Sequence, residues 1–257
     1  VKISTWNVNS VKARLITILE WLREENPDIV LLQELKCITE AFPAQEIEDL
    51  GYNIAVHGQK TYNGVAILSK FPLSDIVTNF TGNPVPQEAR YIEALVNFSN
   101  SALRVASVYV PNGQSLESDK YPIKLEFLES LGKYYQSFKE EALLIGGDFN
   151  VSLTDLDVYD PVALKESILF SIKERQELRR FMSSGLVDLY RISKVDEGYT
   201  WWDYRANSFA RNNGMRIDYL FANPEATQNC IDCFVSKDLR GKEKASDHVP
   251  VTAVFSY

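Results

Sequence analysis

Ala142-Leu143-Leu144-Ile145-Gly146-Gly147-Asp148-Phe149-Asn150 is the stretch on which the reading of the fold turns. A short apolar, strand-like run passes through two glycines into a carboxylate and, two residues later, a carboxamide. The same order recurs upstream. Residues 3–8 alternate loosely and stop at Asn7 and Asn9, and residues 29–32 are continuously apolar before Gln33-Glu34. A fourth polar cluster, Asp247-His248-Val249-Pro250, precedes the apolar run near the end of the chain. One of only two histidines stands there beside a carboxylate, where neither side chain is expected to fill a core. Strands laid side by side would bring these ends to one rim, where α/β proteins build their sites. Carboxylates, carboxamides and one imidazole together suit a hard cation, Mg²⁺ or Mn²⁺, and phosphoryl oxygens.

Between these landmarks the chain alternates regularly. Helical spacing is read at residues 11–25, stopped by Asn26-Pro27, and at 121–139 and 172–183, with a short helix at 42–50 ended by Gly51. Further strands are read at 52–56, 65–68, 92–98, 103–110, 217–221, 231–235 and 249–255. Strands outnumber helices, and several neighbours have no helix between them. That pattern predicts two mixed or mostly antiparallel sheets packed face to face with helices outside, not a doubly wound parallel sheet.

With 257 residues, 45% hydrophobic and 12% aromatic, the chain can bury one large core, and residues 1–257 read as a single domain or as two intimately packed halves. No run of about eighteen apolar residues could span a bilayer, and the start of the chain shows a strand pattern instead of a signal segment, so the expectation is a cytoplasmic enzyme without a membrane partner. Three cysteines are too few and odd in number for a disulfide framework; Cys230 and Cys233 have the gap of a zinc knuckle without a second pair, which favours ordinary packing. A net charge of −8 argues against a nucleic-acid partner, but the excess is upstream: residues 1–190 hold 18 basic and 26 acidic side chains, residues 191–257 hold 9 of each. Residues 205–216 carry three arginines and no carboxylate in a glycine- and asparagine-containing stretch that reads as an exposed loop, either a nucleic-acid contact or simply solvated.

Nine strings carry a resemblance. Trp6-Asn7-Val8-Asn9, Leu32-Gln33-Glu34, His57-Gly58-Gln59-Lys60 with Gly64-Val65-Ala66, Tyr109-Val110-Pro111-Asn112-Gly113 and Gly147-Asp148-Phe149-Asn150 are followed by Gly185-Leu186-Val187-Asp188, Thr200-Trp201-Trp202-Asp203-Tyr204-Arg205, Arg216-Ile217-Asp218-Tyr219 and Ser246-Asp247-His248. Their order and spacing resemble the exonuclease III family of abasic-site endonucleases over essentially the whole chain. The resemblance implies a four-layer α/β sandwich like that of deoxyribonuclease I, and a divalent-metal-dependent phosphodiesterase acting on double-stranded DNA with abasic sites or 3′ blocking groups. It further implies cleavage 5′ to the lesion, 3′–5′ exonuclease and 3′-phosphatase activity, and a monomer. Carried onto this chain, Glu34 is the principal metal carboxylate, with Asn7 and Asp247 near or on the metal and Asp148 and Asn150 beside it. Asp148 manages a proton or activates water, and Asn150, Asn112, Tyr109 and His248 touch the phosphate. Asp218 orients and charges His248. Arg90, Arg205 and Lys36 contact DNA, and Trp201, Met215 and Ile217 line the abasic pocket.

Competing readings stand beside these roles. Asp218 could be a strand-end salt bridge, Asn150 a turn residue, Arg90 one half of an ion pair, and Trp202 belongs in the core. Ser10 replaces a common glycine, Leu35 a common threonine, and Met215 a tryptophan of some members, while residues 114–118 lack an arginine that some members insert into DNA. The alternatives to the main reading are an end-cleaning 3′-phosphatase relative with weak abasic incision and a phosphodiesterase acting on something other than DNA.

Overall fold

Short apolar runs separated by glycine, proline and asparagine fold into twelve strands and six α-helices within residues 1–138 and 141–256, which the computed structural model describes. In chain order these are β1 (Lys2–Asn7), α1 (Leu15–Glu24), β2 (Ile29–Gln33), α2 (Ala44–Glu48), β3 (Asn53–His57), β4 (Val65–Ser69), β5 (Leu73–Val77), β6 (Tyr91–Asn97) and β7 (Ala102–Tyr109). There follow α3 (Lys120–Tyr135), β8 (Leu143–Asp148), α4 (Ile172–Met182), β9 (Val187–Asp188), α5 (Leu189–Ser193), β10 (Asp218–Ala222), α6 (Pro224–Thr227), β11 (Cys230–Val235) and β12 (Val251–Phe255). The strands form two six-stranded sheets, ordered β11-β12-β1-β2-β4-β3 and β5-β6-β7-β8-β10-β9. Among the described residues only β1 with β2 and β7 with β8 are parallel, so both sheets are mixed, as the pattern predicts.

Period-two alternation sorts the side chains into layers. Ile29 and Leu31 of β2 face the second sheet, while Val30 and Leu32 face outward; Val65 and Ile67 of β4 divide from Ala66 and Leu68 in the same way. Across the inner core stand Ile92, Val105, Leu144 and Leu220. Outside the first sheet α1 contributes Ile18, Trp21 and Leu22; outside the second, α3 and α4 contribute Phe127, Leu131, Leu178 and Phe181. The result is the expected helix–sheet–sheet–helix sandwich. Among the described residues no helix is long and apolar enough to cross a membrane.

Several boundaries differ for local reasons. β8 runs straight through Gly146 and Gly147: a Cβ on Gly146 would lie 2.6 Å from Leu31 Cδ1, and one on Gly147 would lie 1.9 Å from Val108 O, so the pair permits close sheet contact instead of making a turn. The helix predicted from residue 11 begins only at Leu15, because Ser10 N and Val11 N donate to Glu34 O and Leu35 O at 2.8 and 3.1 Å. α3 ends at Tyr135; its predicted end, Lys139, lies outside the described residues. Edge strand β5 has no apolar alternation to read, with Ser74 and Asp75 inside it and Ile76 and Val77 exposed.

Candidate active site

Parallel pairing puts the ends of β1, β2, β7 and β8 on one edge, and register decides which residues meet. Asn7 stands opposite Gln33, and Asp148 opposite both Tyr109 and Asp218. Asn7 joins the two sheets there, its Nδ2 donating to Glu34 Oε1 at 3.0 Å and to Asp148 Oδ2 at 2.9 Å. Glu34 leaves β2 with a φ of +53°, and its carboxylate accepts from Tyr109 Oη at 2.7 Å and faces Lys36 Nζ at 3.0 Å. Just below, Gln33 Nε2 donates to Ser107 Oγ at 2.9 Å, and Ser107 Oγ donates to Leu32 O at 2.8 Å. These buried bonds set the spacing of the sheets under the rim.

The two carboxylates differ in proton affinity. Burial alone would raise the Glu34 pKa; Lys36, the hydrogen bonds from Asn7 and Tyr109, and the charge of His248 outweigh burial and hold it below its ordinary value. Burial pushes Asp148 up to about 7, with Asp218 and Glu34 adding to the rise against His248 and Asn7. Glu34 therefore stays ionised while Asp148 can hold or release a proton near neutrality. Burial, then Glu34 and Asp148, raise the Tyr109 phenol well above its usual range and keep it a neutral donor.

His248 corrects one expectation: it is 5% exposed, not outside the core. Two carboxylates offset the cost of burying its charge. Nδ1 lies 2.9 Å from Asp218 Oδ2, which also accepts from Thr200 Oγ1 at 2.6 Å, and Nε2 lies 3.7 Å from Asp148 Oδ2. Burial works to lower the His248 pKa, but Asp218 and Asp148 push it up to about 10, so the ring is an imidazolium at neutral pH. Asp148, Asp218 and His248 offer ligand atoms within 4.8 Å of one another. With Nδ1 committed to Asp218, that trio is an ion-paired relay; the oxygens around Glu34 and Asp148, one already facing an ammonium, are the better place for a hard cation. Asn7 turns its nitrogen to these carboxylates while its Oδ1 accepts from Asn9 N at 3.0 Å.

Asn112 and Asn150 follow β7 and β8. Asn112 Nδ2 donates to Asn150 Oδ1 at 3.1 Å, and Asn150 Nδ2 donates to Val110 O at 3.0 Å. Asn150, 4% exposed with a φ of +51°, is engaged by protein, whereas Asn112 is exposed. Arg90 pairs with Glu88 and lies over the Tyr109 ring at 4.8 Å. Thr200, marked in the sequence only as part of a string and with no role of its own, and the wholly buried Lys124 also hold this region; the sequence marks Lys124 only as a cation on the apolar face of α3.

A cavity of about 560 Å³ opens beside this rim, walled by Trp201, Met215, Leu164 and Ile168, with Arg205 on its border. The Trp201 ring centre is 6.5 Å from that of His248. Ile217, 1% exposed, packs in the same apolar cluster as Met215 but does not wall the cavity. Asp247 does not join Glu34 directly: it accepts from Trp201 Nε1 at 3.0 Å and from Asn9 Nδ2 at 2.9 Å, and Asn9 Oδ1 accepts from Lys36 Nζ at 2.5 Å. Glu34, Lys36, Asn9, Asp247 and Trp201 thus form one chain of contacts from rim to cavity. Residues 205–216 are not a uniformly exposed basic loop. Arg205 is exposed and paired with Asp203, but Arg216 is 1% exposed, its Nε 2.7 Å from Asp157 Oδ1 and its Nη2 2.8 Å from Asp188 Oδ2. Trp202 is fully buried, as expected.

A protonated imidazole, carboxylates of split proton affinity and an oxygen-rich rim can together offset the charge that builds on a phosphoester under attack, and they place the protein in the class of phosphoester hydrolases. Residues 4–248 match the endonuclease/exonuclease/phosphatase family, and the chain belongs to that family. It is 32% identical to exodeoxyribonuclease III of Haemophilus influenzae, over 99% of this chain and 100% of that protein. The fold matches the 3′ phosphatase NExo from Neisseria bound to a product DNA hairpin with a TM-score of 0.94, at 36% identity, covering 100% of this chain and 99% of that one. An AP endonuclease from Archaeoglobus fulgidus matches with a TM-score of 0.93 and 34% identity over 100% of both chains. The protein is a hydrolase of the nuclease type.

Proposed function

We propose that this protein is a divalent-metal-dependent DNA-repair enzyme that cuts the backbone 5′ to abasic sites and also trims 3′ ends as exonuclease and 3′-phosphatase, acting as a monomer and as one domain over residues 1–257. The observation that carries the reading is the apolar cavity walled by Trp201 and Met215, coupled to the carboxylate rim through Asp247. A sugar without a base fits such a cavity, and flipping it costs less where stacking is already lost.

The donor set around Glu34 fits Mg²⁺, with Mn²⁺ as the alternative: it is oxygen-based, and Lys36 already marks one Glu34 oxygen as cation-facing. Glu34, with Asn7 and Asp247 nearby, would hold the ion, which would supply electrostatic stabilisation of the phosphate. Asp148 accepts a proton from the water that attacks phosphorus, the P–O3′ bond breaks and the leaving 3′-oxygen takes up a proton from solvent, while His248 and Tyr109 donate to phosphate oxygens and Asp218 keeps His248 charged. Asn112, the exposed partner of Asn150, binds the phosphate edge, while Arg205, Lys36 and Arg90 contact flanking phosphates. The site lies in a chain of net charge −8, so binding depends on these local cations and falls steeply with salt.

The deciding assay uses an end-labelled duplex with one stable abasic analogue, incubated with Mg²⁺ or EDTA beside an undamaged control. One metal-dependent cut immediately 5′ to the lesion is expected. A second reading, an enzyme that chiefly removes 3′ phosphates, draws on the Neisseria phosphatase as a relative; release of phosphate from 3′-phosphate ends without abasic incision would select it. No action on either DNA would leave a phosphodiesterase with another substrate.

A further inference from the structure

Lys124 and Glu174 are both 0% exposed, and they meet in a direct ion pair behind the candidate site. Burying two charges seldom stabilises a fold more than well-packed apolar residues of similar volume, so the pair needs a reason beyond stability. Its contacts supply one. The three N–H donors of Lys124 are directed to the main-chain carbonyl of Asn112 at 3.0 Å, that of Asn150 at 2.6 Å, and the Glu174 carboxylate. These two carbonyls belong to the loops after β7 and β8, whose side chains hydrogen-bond to each other at the rim.

Glu174 ties the other end. Its Oε1 also accepts from Leu169 N at 3.1 Å, and its Oε2 accepts from Ser171 N at 2.9 Å and Ser171 Oγ at 2.6 Å, within the capping box of α4. Leu169 and its neighbour Ile168 line the Trp201 cavity. One ammonium therefore binds both asparagine loops and, through one carboxylate, the segment bordering the cavity.

We propose that Lys124, held by Glu174, is a positioning residue that sets the placement of Asn112 and Asn150 and couples it to the cavity wall. The inference rests on the proposed function for its kinetic readout but not for its structural one. Lys124→Met/Glu174→Gln removes both charges together and avoids leaving a lone buried ion. The folded double variant is expected to lose about 100-fold in kcat on the abasic duplex, the effect of a small misplacement of reacting groups, with KM within about threefold. The side-chain amide resonances of Asn112 and Asn150 should move. Lys124→Ala should regain at least about tenfold in kcat with n-propylammonium, which refills the ammonium position, but not with tetramethylammonium at equal ionic strength. A folded double variant with wild-type kcat and unmoved amide resonances would overturn the proposal. A wild-type protein inactive on all DNA would remove the proposed function, while the amide resonances would still decide the positioning role.

Discussion

Asp157→Asn tests whether the ion cluster beneath the cavity holds the site together. Asp157 is 0% exposed, and its Oδ1 accepts from Arg216 Nε at 2.7 Å and Arg191 Nη2 at 2.6 Å, while Oδ2 accepts from Thr154 N and Thr154 Oγ1 at 2.8 and 2.9 Å. An amide cannot accept at both ends, and the substitution leaves the buried Arg216 with Asp188 as its remaining carboxylate partner. Breaking a buried pair costs about 3–5 kcal/mol. Because Asp188 remains 2.8 Å from Arg216 Nη2, the lower end applies, about 3 kcal/mol. That is a large part of the ~5–15 kcal/mol typical of a folded protein. Urea denaturation at pH 7 should show the loss as a lower midpoint with unchanged slope, and Tm should fall by about 6–12 °C. The pH dependence has a definite sign. Burial would raise the Asp157 pKa, but Arg216 and then Arg191 outweigh burial and lower it. A lowered folded-state pKa adds stability that is fully present above the unfolded carboxylate value of about 3.9 and is lost as pH falls through the folded value. The gap between wild type and variant should be constant from about pH 8 to 5 and close below about pH 4. A gap under about 1 kcal/mol at pH 7, or one that widens on acidification, would show that Asp157 does not stabilise the fold by pairing with Arg216.

Three further outcomes are expected. Trp201→Ala should reduce cleavage of an abasic duplex at least about tenfold more than hydrolysis of a small phosphodiester, because the small ester needs no cavity wall; equal losses on both would make Trp201 a packing residue. Asp218→Asn removes the largest charge that favours the imidazolium of His248, so kcat/KM at pH 7.5 should fall by about 100-fold or more and the ring should titrate at lower pH by NMR in metal-free protein, whereas an unmoved His248 resonance would assign that charge to Asp148. Ser10 holds a φ of +89°, a conformation glycine adopts freely, so Ser10→Gly should stabilise by about 1 kcal/mol in denaturant melts; destabilisation would show that the contact of Ser10 Oγ with Ala13 N matters more than strain.

Local chemistry made much of the architecture legible. Apolar runs of four to eight residues, the punctuation between them and the lack of helices between neighbouring strands were enough to read two packed sheets, because period-two alternation and turn residues act within a few positions. The polar strand ends were legible for the same reason: Asn7, Glu34 and Asp148 each break an apolar run. Edge strand β5 was not, since a strand with one open edge and exposed side chains has no burial to impose alternation.

What the chain alone decided, then, is which groups are carried to the rim: a carboxylate, a carboxamide or an imidazole at the end of a strand is a property of that strand. Tertiary structure decided what those groups are. Register placed Asp148 opposite Asp218, and packing buried His248 between them, making a charged relay of a histidine that reads as exposed beside Asp247. Long-range contacts drew Arg216 out of an apparently basic loop into an ion cluster and placed Lys124, on a helix, behind two asparagines from separate loops. Burial and pairing depend on residues tens to hundreds of positions apart, and the electrostatic character of a side chain is set by those partners, which only the folded chain brings within reach.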